Sequence, residues 1–290
     1  MSDPENRLMT VGDLAKTLRA MLEPVHGREE SGAMVYRLFE HYLHLNRASV
    51  VLSRQMFPGK RQQKKLLQAA RQLADNIPLQ YITGEAFFDG LTFRVNRHVL
   101  IPRPETEEMV SLAAGIFAGR RPHSILDIGT GSGCIAVSLK KHFPESRVIA
   151  VDVSKMALRV AQRNASDNGL QVEFLHGDIL KPHGFRNMPV FDLIISNPPY
   201  VTESEKSLMR ANVLDYEPGK ALFVPDKDPL LFYNAVARFA RRFLAGNGMI
   251  LFEINENFGK ATVDLLKSLG YSRAEVRRDF RGKDRFVIAQ

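Results

Sequence analysis

Four consecutive residues, Asn197-Pro198-Pro199-Tyr200, could bind a planar amino group. The Asn197 oxygen and the Pro198 carbonyl offer two acceptors to one NH2 group, and the Tyr200 ring could hold that group flat by stacking. The prolines make the segment rigid, because neither a β-ladder nor an immediate helix continues through them. A Pro-stiffened turn would explain Asn-Pro alone. The full tetrapeptide follows the apolar run 190–195, which predicts a buried strand, and this position favours a binding site.

A glycine-rich loop predicts a second half of the same site. Residues 124–128 read as a buried strand, Gly129-Thr130-Gly131-Ser132-Gly133 follows, and a helix begins at Cys134. Glycines let the backbone turn sharply and approach a ligand closely. The loop alone is a weak signal, because dinucleotide-dependent enzymes use a similar one.

Acidic residues near the strand ends predict that the bound ligand is an adenosine carrying a cationic group, and not a dinucleotide. Asp152 ends the second strand, where it can hold both ribose hydroxyls. Asp127, before a loop with no phosphate-binding lysine, can face a sulfonium-methionine group. After the third strand, Asp178 can accept from an adenine amino group while Ile179 covers the ring. Asp178 as a simple turn residue stays open.

The chain divides into three predicted segments. Residues 1–77 show helical periodicity, with apolar faces around Leu14 and Leu66 and an apolar helix over 34–45, and predict a small helical bundle. Residues 78–105 form a hairpin and linker, in which 80–84 and 86–95 alternate as strands around an Asp-Gly turn. Residues 106–290 form an α/β domain.

The linker into the α/β domain could contribute to the pocket. Two prolines flank Arg103, which is expected to close one wall, and Thr106 is expected to cap a helix over 107–117. Further along, we expect a helix over 229–244, a strand over 248–254, a helix over 259–269 and a closing hairpin of 274–277 with 285–289. Alternating strands and helices predict a mainly parallel, doubly wound sheet with its sites at the strand C-termini.

Composition narrows the functional classes. The 290 residues include one cysteine, Cys134, which excludes an internal disulfide, and eight histidines without a metal-site pattern, so we expect no metal. No apolar run could span a membrane and no apolar signal core begins the chain, so we expect a cytoplasmic protein. The net charge of +8 favours an anionic partner such as RNA, a ribosome or an acidic protein. The basic run 60–65 could touch nucleic acid, but a solvated helix face needs no such role and is the favoured interpretation.

Taken together, these motifs resemble the release factor glutamine methyltransferases, the PrmC/HemK family. Nearly the whole chain takes part, through 78–84, 101–107, 127–133, 197–200, 216–218 and the terminal Arg-Asp-Phe turn. The proline-flanked Arg103 motif together with Asn-Pro-Pro-Tyr is specific, whereas the glycine loop is not. One departure is Ile179, because some members carry an aromatic residue there.

The resemblance implies a Rossmann-like class I methyltransferase fold with a small N-terminal helical domain, and S-adenosyl-L-methionine as methyl donor. It implies N5-methylation of the glutamine in the Gly-Gly-Gln motif of peptide chain release factors. We also expect a monomer that acts in proximity to the ribosome. By position, Asn197, Pro198 and Tyr200 would be catalytic. The glutamine would lie against residues 197–200, Pro199 included, and Arg103. Cofactor contacts would come from 129–133, Asp152 and Asn197.

Two other functions stay open. An adenine-N6 methyltransferase acting on DNA or RNA could use the same amino-group clamp, although it would normally need a base-flipping surface and a larger recognition region. A non-catalytic ribosome- or RNA-binding protein could keep a Rossmann-like fold, but degraded cofactor acids would then be expected, and both Asp127 and Asp152 are present.

Overall fold

The computed structural model describes residues 8–181, 185 and 188–290 of the chain. Residues 1–7, where the sequence shows no apolar signal core, lie outside that part. The described chain forms two compact units. The first extends to Gly84 and also contains Ala211–Tyr216; the second comprises 85–210 and 217–290. Within the described ranges, no helix has both the length and the apolar character needed to cross a membrane.

The first unit is built mainly from two long helices. Helix α1 (Val11–Leu43) bends at Gly27, which has a left-handed φ of 73°, and so joins the two helices predicted around Leu14 and over 34–45. Helix α3 (Lys60–Ala74) buries its apolar face against α1. Short helices α2 (Arg47–Leu52) and α4 (Leu79–Thr83) complete the N-terminal part. The predicted helical bundle is confirmed.

Helix α3 divides its surface as the sequence predicts. Leu66, Ala70 and Leu73 are fully or almost fully buried, whereas Lys64 and Lys65 are exposed. Burying a leucine side chain contributes roughly 1.5–3 kcal/mol, so this apolar stripe is what fixes the helix against its neighbours. Tyr216 belongs to the same unit and donates its hydroxyl to the Asp75 carbonyl at 2.8 Å.

The hairpin prediction is half right. Strands β1 (Glu85–Phe88) and β2 (Leu91–Arg94) pair antiparallel around Asp89 and Gly90. Both turn residues have positive φ, as a two-residue type I′ turn requires. The strand predicted over 80–84 is wrong, because these residues belong to helix α4 and the Gly84 that ends it. Apolar residues at alternating positions in so short a segment fit one helical turn as well as a strand.

The second unit is organised by a seven-stranded sheet. Its strands are β3 (Ser124–Ile128), β4 (Arg147–Asp152), β5 (Glu173–His176), β6 (Phe191–Ser196), β9 (Leu244–Glu253), β10 (Ala274–Arg278) and β11 (Asp284–Ala289). They lie in the order β10-β11-β9-β6-β3-β4-β5. The five strands from β9 to β5 run parallel, and β11 pairs antiparallel with both β9 and β10. The mainly parallel sheet and the closing hairpin are confirmed.

Helices cover both faces of this sheet. One apolar cluster packs residues of α5 (Pro104–Ile116) and α6 (Cys134–His142) against it, and a second packs α9 (Leu231–Phe243) and α10 (Gly259–Ser268). Helix α7 (Lys155–Asp167) follows β4. Two short strands, β7 (Val201–Thr202) and β8 (Phe223–Val224), pair parallel. The helix between them in the sequence, α8 (Ala211–Tyr216), belongs to the first unit. Because helices bury both faces of the central strands, these strands appear in the sequence as continuous apolar runs.

Helix α5 begins earlier than predicted. Its N-cap is Arg103 and Pro104 occupies the first turn, so Thr106 lies inside the helix. The prediction that Thr106 caps the helix is wrong. Proline is well suited to a first helical turn, where its missing N–H would have no partner. This shift frees the Thr106 side chain for a contact described below.

Candidate active site

A cavity of about 310 Å³ opens at the C-terminal ends of β3, β4, β5 and β6. This is where the chain order of the sheet reverses, since β4 and β5 lie on one side of β3 and β6 and β9 on the other. In open α/β sheets, ligands bind at such a switch point. The volume lies within the range of about 300–1,000 Å³ that is usual for small-molecule sites.

The glycine loop turns tightly between β3 and α6. The backbone nitrogens of Gly129 and Thr130 both donate to the Val151 carbonyl, at 2.8 and 3.0 Å. Gly133 has a φ of +83°, and a Cβ there would lie 3.0 Å from the Cβ of Ala161 in α7. Only glycine combines that backbone conformation with so close a helix approach. The loop is therefore fixed on β4 and α7 before any ligand binds.

Asp127 is a buried carboxylate behind this loop. It is fully buried, and its Oδ2 accepts from the Thr130 hydroxyl at 2.6 Å. Among the described residues no donor reaches its Oδ1 with good hydrogen-bond geometry, although the Ala136 backbone N–H is near enough to lower the pKa of the carboxyl. Burial raises the pKa of Asp127 to about 7, against the effect of the Thr130 hydrogen bond. A buried acceptor without a close donor is costly, and a cationic ligand group in the cavity would offset that cost through its charge.

Two further acids occupy the ends of the next strands. Asp152 accepts from the backbone nitrogens of Gly131 and Ser154, each at 2.8 Å. Burial raises the pKa of Asp152 above its usual range, although these two donors oppose the shift. A carboxylate has about four acceptor positions, so both oxygens can still accept from hydroxyls. Asp178 accepts from Leu180 N at 2.9 Å in a turn, and Ile179 beside it lines the cavity.

Asn197 lies at the cavity wall with its amide held from behind. Its Nδ2 donates to the Thr106 hydroxyl at 3.0 Å, and that hydroxyl donates to Glu253 Oε2 at 2.7 Å. Strand register explains why Asn197 and Glu253 lie close together. Ser196 of β6 pairs with Phe252 of β9, and Asn197 and Glu253 are the next residues along these parallel strands. Within the described part of the chain, no group donates to Asn197 Oδ1.

Tyr200 is held by the same carboxylate. Its hydroxyl donates to Glu253 Oε1 at 3.0 Å, and its ring packs against the apolar cluster beneath α9. Burial raises the pKa of the Tyr200 phenol well above its usual value. The phenol therefore stays protonated and cannot serve as a base near neutral pH. Stacking of this ring on a substrate amide stays a prediction.

Arg103 is engaged by a residue from a distant segment. Its guanidinium donates to Glu217 Oε1 at 2.6 Å, while Glu217 Oε2 accepts from the Ile101 backbone nitrogen at 3.1 Å. The Glu217 side chain is 1% exposed. The pair ties the proline-rich linker to the segment 218–221, which lines the cavity. Direct contact of Arg103 with substrate stays a prediction.

The structure brings only part of the predicted site to the cavity wall. The predicted residues that line it are Gly129, Gly131, Asp152, Asp178, Ile179, Asn197, Pro198 and Pro199. The remaining predicted residues are not part of its lining: Arg103, Asp127, Thr130, Ser132, Gly133 and Tyr200. Across the described ranges, no cluster of three or more His, Cys, Asp or Glu residues could hold a metal ion.

Sequence reasoning missed two groups of residues. The first is the rim of the cavity, formed by 97–100 and 218–221 with Phe232 and Val236 of α9. The second is the pair Thr106 and Glu253 behind Asn197. A signal for Glu253 did exist, since a carboxylate directly after the apolar run 249–252 lies at the end of a buried strand, where a buried carboxylate needs donors.

Comparison with protein families gives two matches along the chain. Residues 14–84 match the PrmC N-terminal domain, and residues 112–216 match the Methyltransferase small domain. The first range coincides closely with the N-terminal part of the first compact unit. The second covers the strands that carry the glycine loop, Asp152, Asp178 and Asn197.

Two curated relatives are similar over nearly their full length. The release factor glutamine methyltransferase of Flavobacterium psychrophilum is 42% identical over 92% of this chain and 94% of its own. That of Bacteroides thetaiotaomicron is 40% identical over 94% of this chain and 97% of its own. Among solved structures, a methyltransferase from Pyrococcus furiosus matches with a TM-score of 0.52 and 21% identity, over 80% of this chain and 98% of the other. The predicted Rossmann-like class I methyltransferase fold is confirmed.

Proposed function

Because this chain belongs to the release factor glutamine methyltransferases, we propose that it methylates the N5 amide nitrogen of the glutamine in the Gly-Gly-Gln motif of peptide chain release factors. The methyl donor is S-adenosyl-L-methionine, whose sulfonium supplies an activated methyl group. The observation that carries the proposal is the shared cavity. Its wall contains the glycine loop and Asp152 on one side and Asn197 with Pro198 on the other.

The first half of the cavity suits the donor. Gly129 and Gly131 bring backbone against the ligand space, and Asp152 at the end of β4 can accept from the ribose hydroxyls. Asp178 and Ile179 offer an acceptor and an apolar surface for the adenine. Asp127, with its unpartnered Oδ1, supplies negative charge behind the loop for the cationic methionine part. These residue roles are part of the proposal.

The second half suits a carboxamide. The amide nitrogen of glutamine is a poor nucleophile, because its lone pair is delocalised into the carbonyl. Asn197 Oδ1 and the Pro198 carbonyl can accept from its two N–H groups, which orients the nitrogen and concentrates electron density on it. Alignment of this kind can contribute several kcal/mol, about 7–11 at the extreme. Preorganised hydrogen bonds to the developing charge contribute further.

No strong base is required by this arrangement. The substrate nitrogen can lose its proton after the methyl group has been transferred, when it has become acidic. Glu253 and Tyr200 are engaged with each other, and the phenol stays protonated. The chain therefore acts by binding and orienting the amide. Cytoplasmic location, proximity to the ribosome and a monomeric state stay predictions that accord with a release factor as substrate.

The helical unit is proposed to bind the protein substrate. Its exposed basic residues on α3 suit an acidic surface, and all residues of the cavity wall lie in the other unit. The alternative is that the basic residues of α3 are a solvated helix face without a partner. Reversing the charges of Lys64 and Lys65 distinguishes the two, because only a binding surface would then lose affinity for release factor.

Methyl transfer from labelled S-adenosyl-L-methionine tests the proposal directly. Purified release factor, DNA and RNA are offered separately, and the product is mapped by mass spectrometry. We expect label on release factor alone, at the Gly-Gly-Gln glutamine, and none on a release factor whose motif is changed to Gly-Gly-Ala. Label on nucleic acid would favour the adenine-N6 alternative, and no transfer to any substrate would favour the non-catalytic one.

A further inference from the structure

The strongest unassigned feature is a buried hydrogen-bond chain behind the amide clamp. Glu253 is 1% exposed and Thr106 3% exposed. Glu253 accepts from Thr106 Oγ1 at 2.7 Å and from Tyr200 Oη at 3.0 Å. Thr106 Oγ1 in turn accepts from Asn197 Nδ2 at 3.0 Å. One carboxylate therefore holds both Asn197, through Thr106, and Tyr200, directly.

The direction of donation along this chain is dictated by chemistry. While Glu253 is ionised it only accepts, so the single hydroxyl proton of Thr106 points at Glu253, in keeping with the 2.7 Å contact with Oε2. The side of the hydroxyl that faces Asn197 can then only accept, and the NH2 end of the Asn197 amide is the end that can donate to it. Reversing the amide would set its oxygen against the oxygen of Thr106 with no proton between them. The orientation of Asn197 thus follows from Glu253.

We propose that Glu253 is a positioning residue that acts through Thr106 to hold the Asn197 amide with its oxygen toward the substrate NH2, while it fixes Tyr200 through a second hydrogen bond. The inference rests on the proposed function and deepens it, because it explains how an amide that could bind in two orientations presents an acceptor. A buried network whose members are all satisfied specifies a single arrangement.

A carboxylate is better suited to this position than a neutral amide. Two hydroxyls, those of Thr106 and Tyr200, donate to its two oxygens. A glutamine offers one carbonyl oxygen and one NH2, so only one hydroxyl could donate in the same way. In the described part of the chain Glu253 forms no ion pair. Burial raises its pKa, whereas the hydroxyls of Thr106 and Tyr200 and the positive charge of Arg285 act to lower it. Keeping an unpaired carboxylate buried is costly, and its two donors are what make it tolerable.

Two substitutions at Thr106 provide the test. Thr106→Val keeps the shape and removes the hydroxyl, whereas Thr106→Ser keeps the hydroxyl and removes a methyl group. With saturating cofactor and release factor, we expect kcat of Thr106→Val to fall about tenfold or more and Thr106→Ser to stay within about threefold of wild type. The KM for release factor and the Kd for cofactor should change less than threefold in both.

A merely structural role would give a different pattern. Loss of packing would be worse in the serine variant, and it would lower thermal stability and affect kcat, KM and Kd together. Should Thr106→Val fail to fold, Glu253→Gln replaces it, with an expected tenfold fall in kcat and little change in Kd. Wild-type kcat in Thr106→Val or Glu253→Gln, or a serine variant as impaired as valine, would overturn the inference. Absence of methyl transfer by wild type would instead overturn the proposed function.

Discussion

Asp127 and Glu253 are both buried carboxylates on strands that flank β6, but their hydrogen bonds differ. Both oxygens of Glu253 accept from side-chain hydroxyls, and through them the carboxylate holds Asn197 and Tyr200. Asp127 accepts from Thr130 with one oxygen, and its other oxygen has no partner among the described residues. The satisfied carboxylate is suited to position its neighbours, whereas the unsatisfied one is suited to a ligand that brings its own charge.

The largest effect is expected on the Glu253 side, at the residue that it positions. Asn197→Ala removes the amide oxygen that would accept from the substrate, and we expect the single-turnover rate of methyl transfer to fall on the order of a hundredfold or more. Asn197→Asp keeps an acceptor of the same size and should retain a measurable fraction of the rate. Saturating cofactor separates rate from binding. Wild-type activity in the alanine variant would make Asn197 a turn residue.

A smaller effect is expected on the Asp127 side, in cofactor affinity. Asp152→Ala removes a charged acceptor for two ribose hydroxyls, and hydrogen bonds to charged groups contribute roughly 1.5–3 kcal/mol. Calorimetric titration should show about a ten- to hundredfold weaker Kd for S-adenosyl-L-methionine, with the fold kept by circular dichroism. An unaltered Kd for Asp152→Ala would refute the ribose role.

The pH dependence of stability tests whether Asp127 is as isolated as the structure indicates. Its pKa of about 7 lies above the unfolded value of about 3.9, so the folded protein binds this proton more tightly. The stabilising contribution is complete below about pH 4 and is lost as the pH rises through 7. Between pH 5 and 8, the free energy of unfolding of wild type should fall relative to Asp127→Asn by on the order of 2 kcal/mol. If denaturant titrations showed the same pH dependence of the free energy of unfolding for wild type and Asp127→Asn, the raised pKa of Asp127 would be contradicted.

The smallest effect is expected far from both carboxylates. Lys64→Glu combined with Lys65→Glu reverses two exposed charges on α3, and we expect the KM for release factor to rise several-fold while cofactor Kd stays unchanged. The matched control, Lys267→Glu combined with Arg273→Glu, reverses two exposed charges of the other unit. Equal KM values for the two double variants would leave the basic face of α3 as a solvated surface.

The surroundings of Asp127 and those of Glu253 also differ in how much of them the sequence predicts. The glycine loop follows β3 directly, Asp152 ends β4 and Asp178 lies two residues after β5, so each apolar run and the few residues after it predict their positions. The Asp-Gly turn between β1 and β2 was equally local. Glu253 and Thr106 lie 147 positions apart, and their contact depends on sheet register and on where α5 begins. Neither can be deduced from local periodicity.

Errors of prediction had the same physical origin. The prediction that Thr106 caps a helix assigns its hydroxyl a local hydrogen bond. In the structure this hydroxyl instead donates to the distant Glu253. Treating 80–84 as a strand followed from an alternation too short to separate one helical turn from a strand. The proline-flanked motif predicts Arg103 at the pocket wall, but nothing local in the sequence indicates that Glu217 from a distant segment binds it.

A double-mutant cycle tests the central claim, that one half of the cavity binds cofactor and the other half orients the amide. Asp152→Ala, Asn197→Ala and the double variant are compared in cofactor Kd and in single-turnover rate at saturating cofactor. The double variant should share its Kd with Asp152→Ala and its rate with Asn197→Ala. The division of the cavity into a cofactor half and an amide half would be contradicted if the Kd or the rate of the double variant differed greatly from these values. It would also be contradicted if Asn197→Ala weakened cofactor binding as strongly as it lowered the rate.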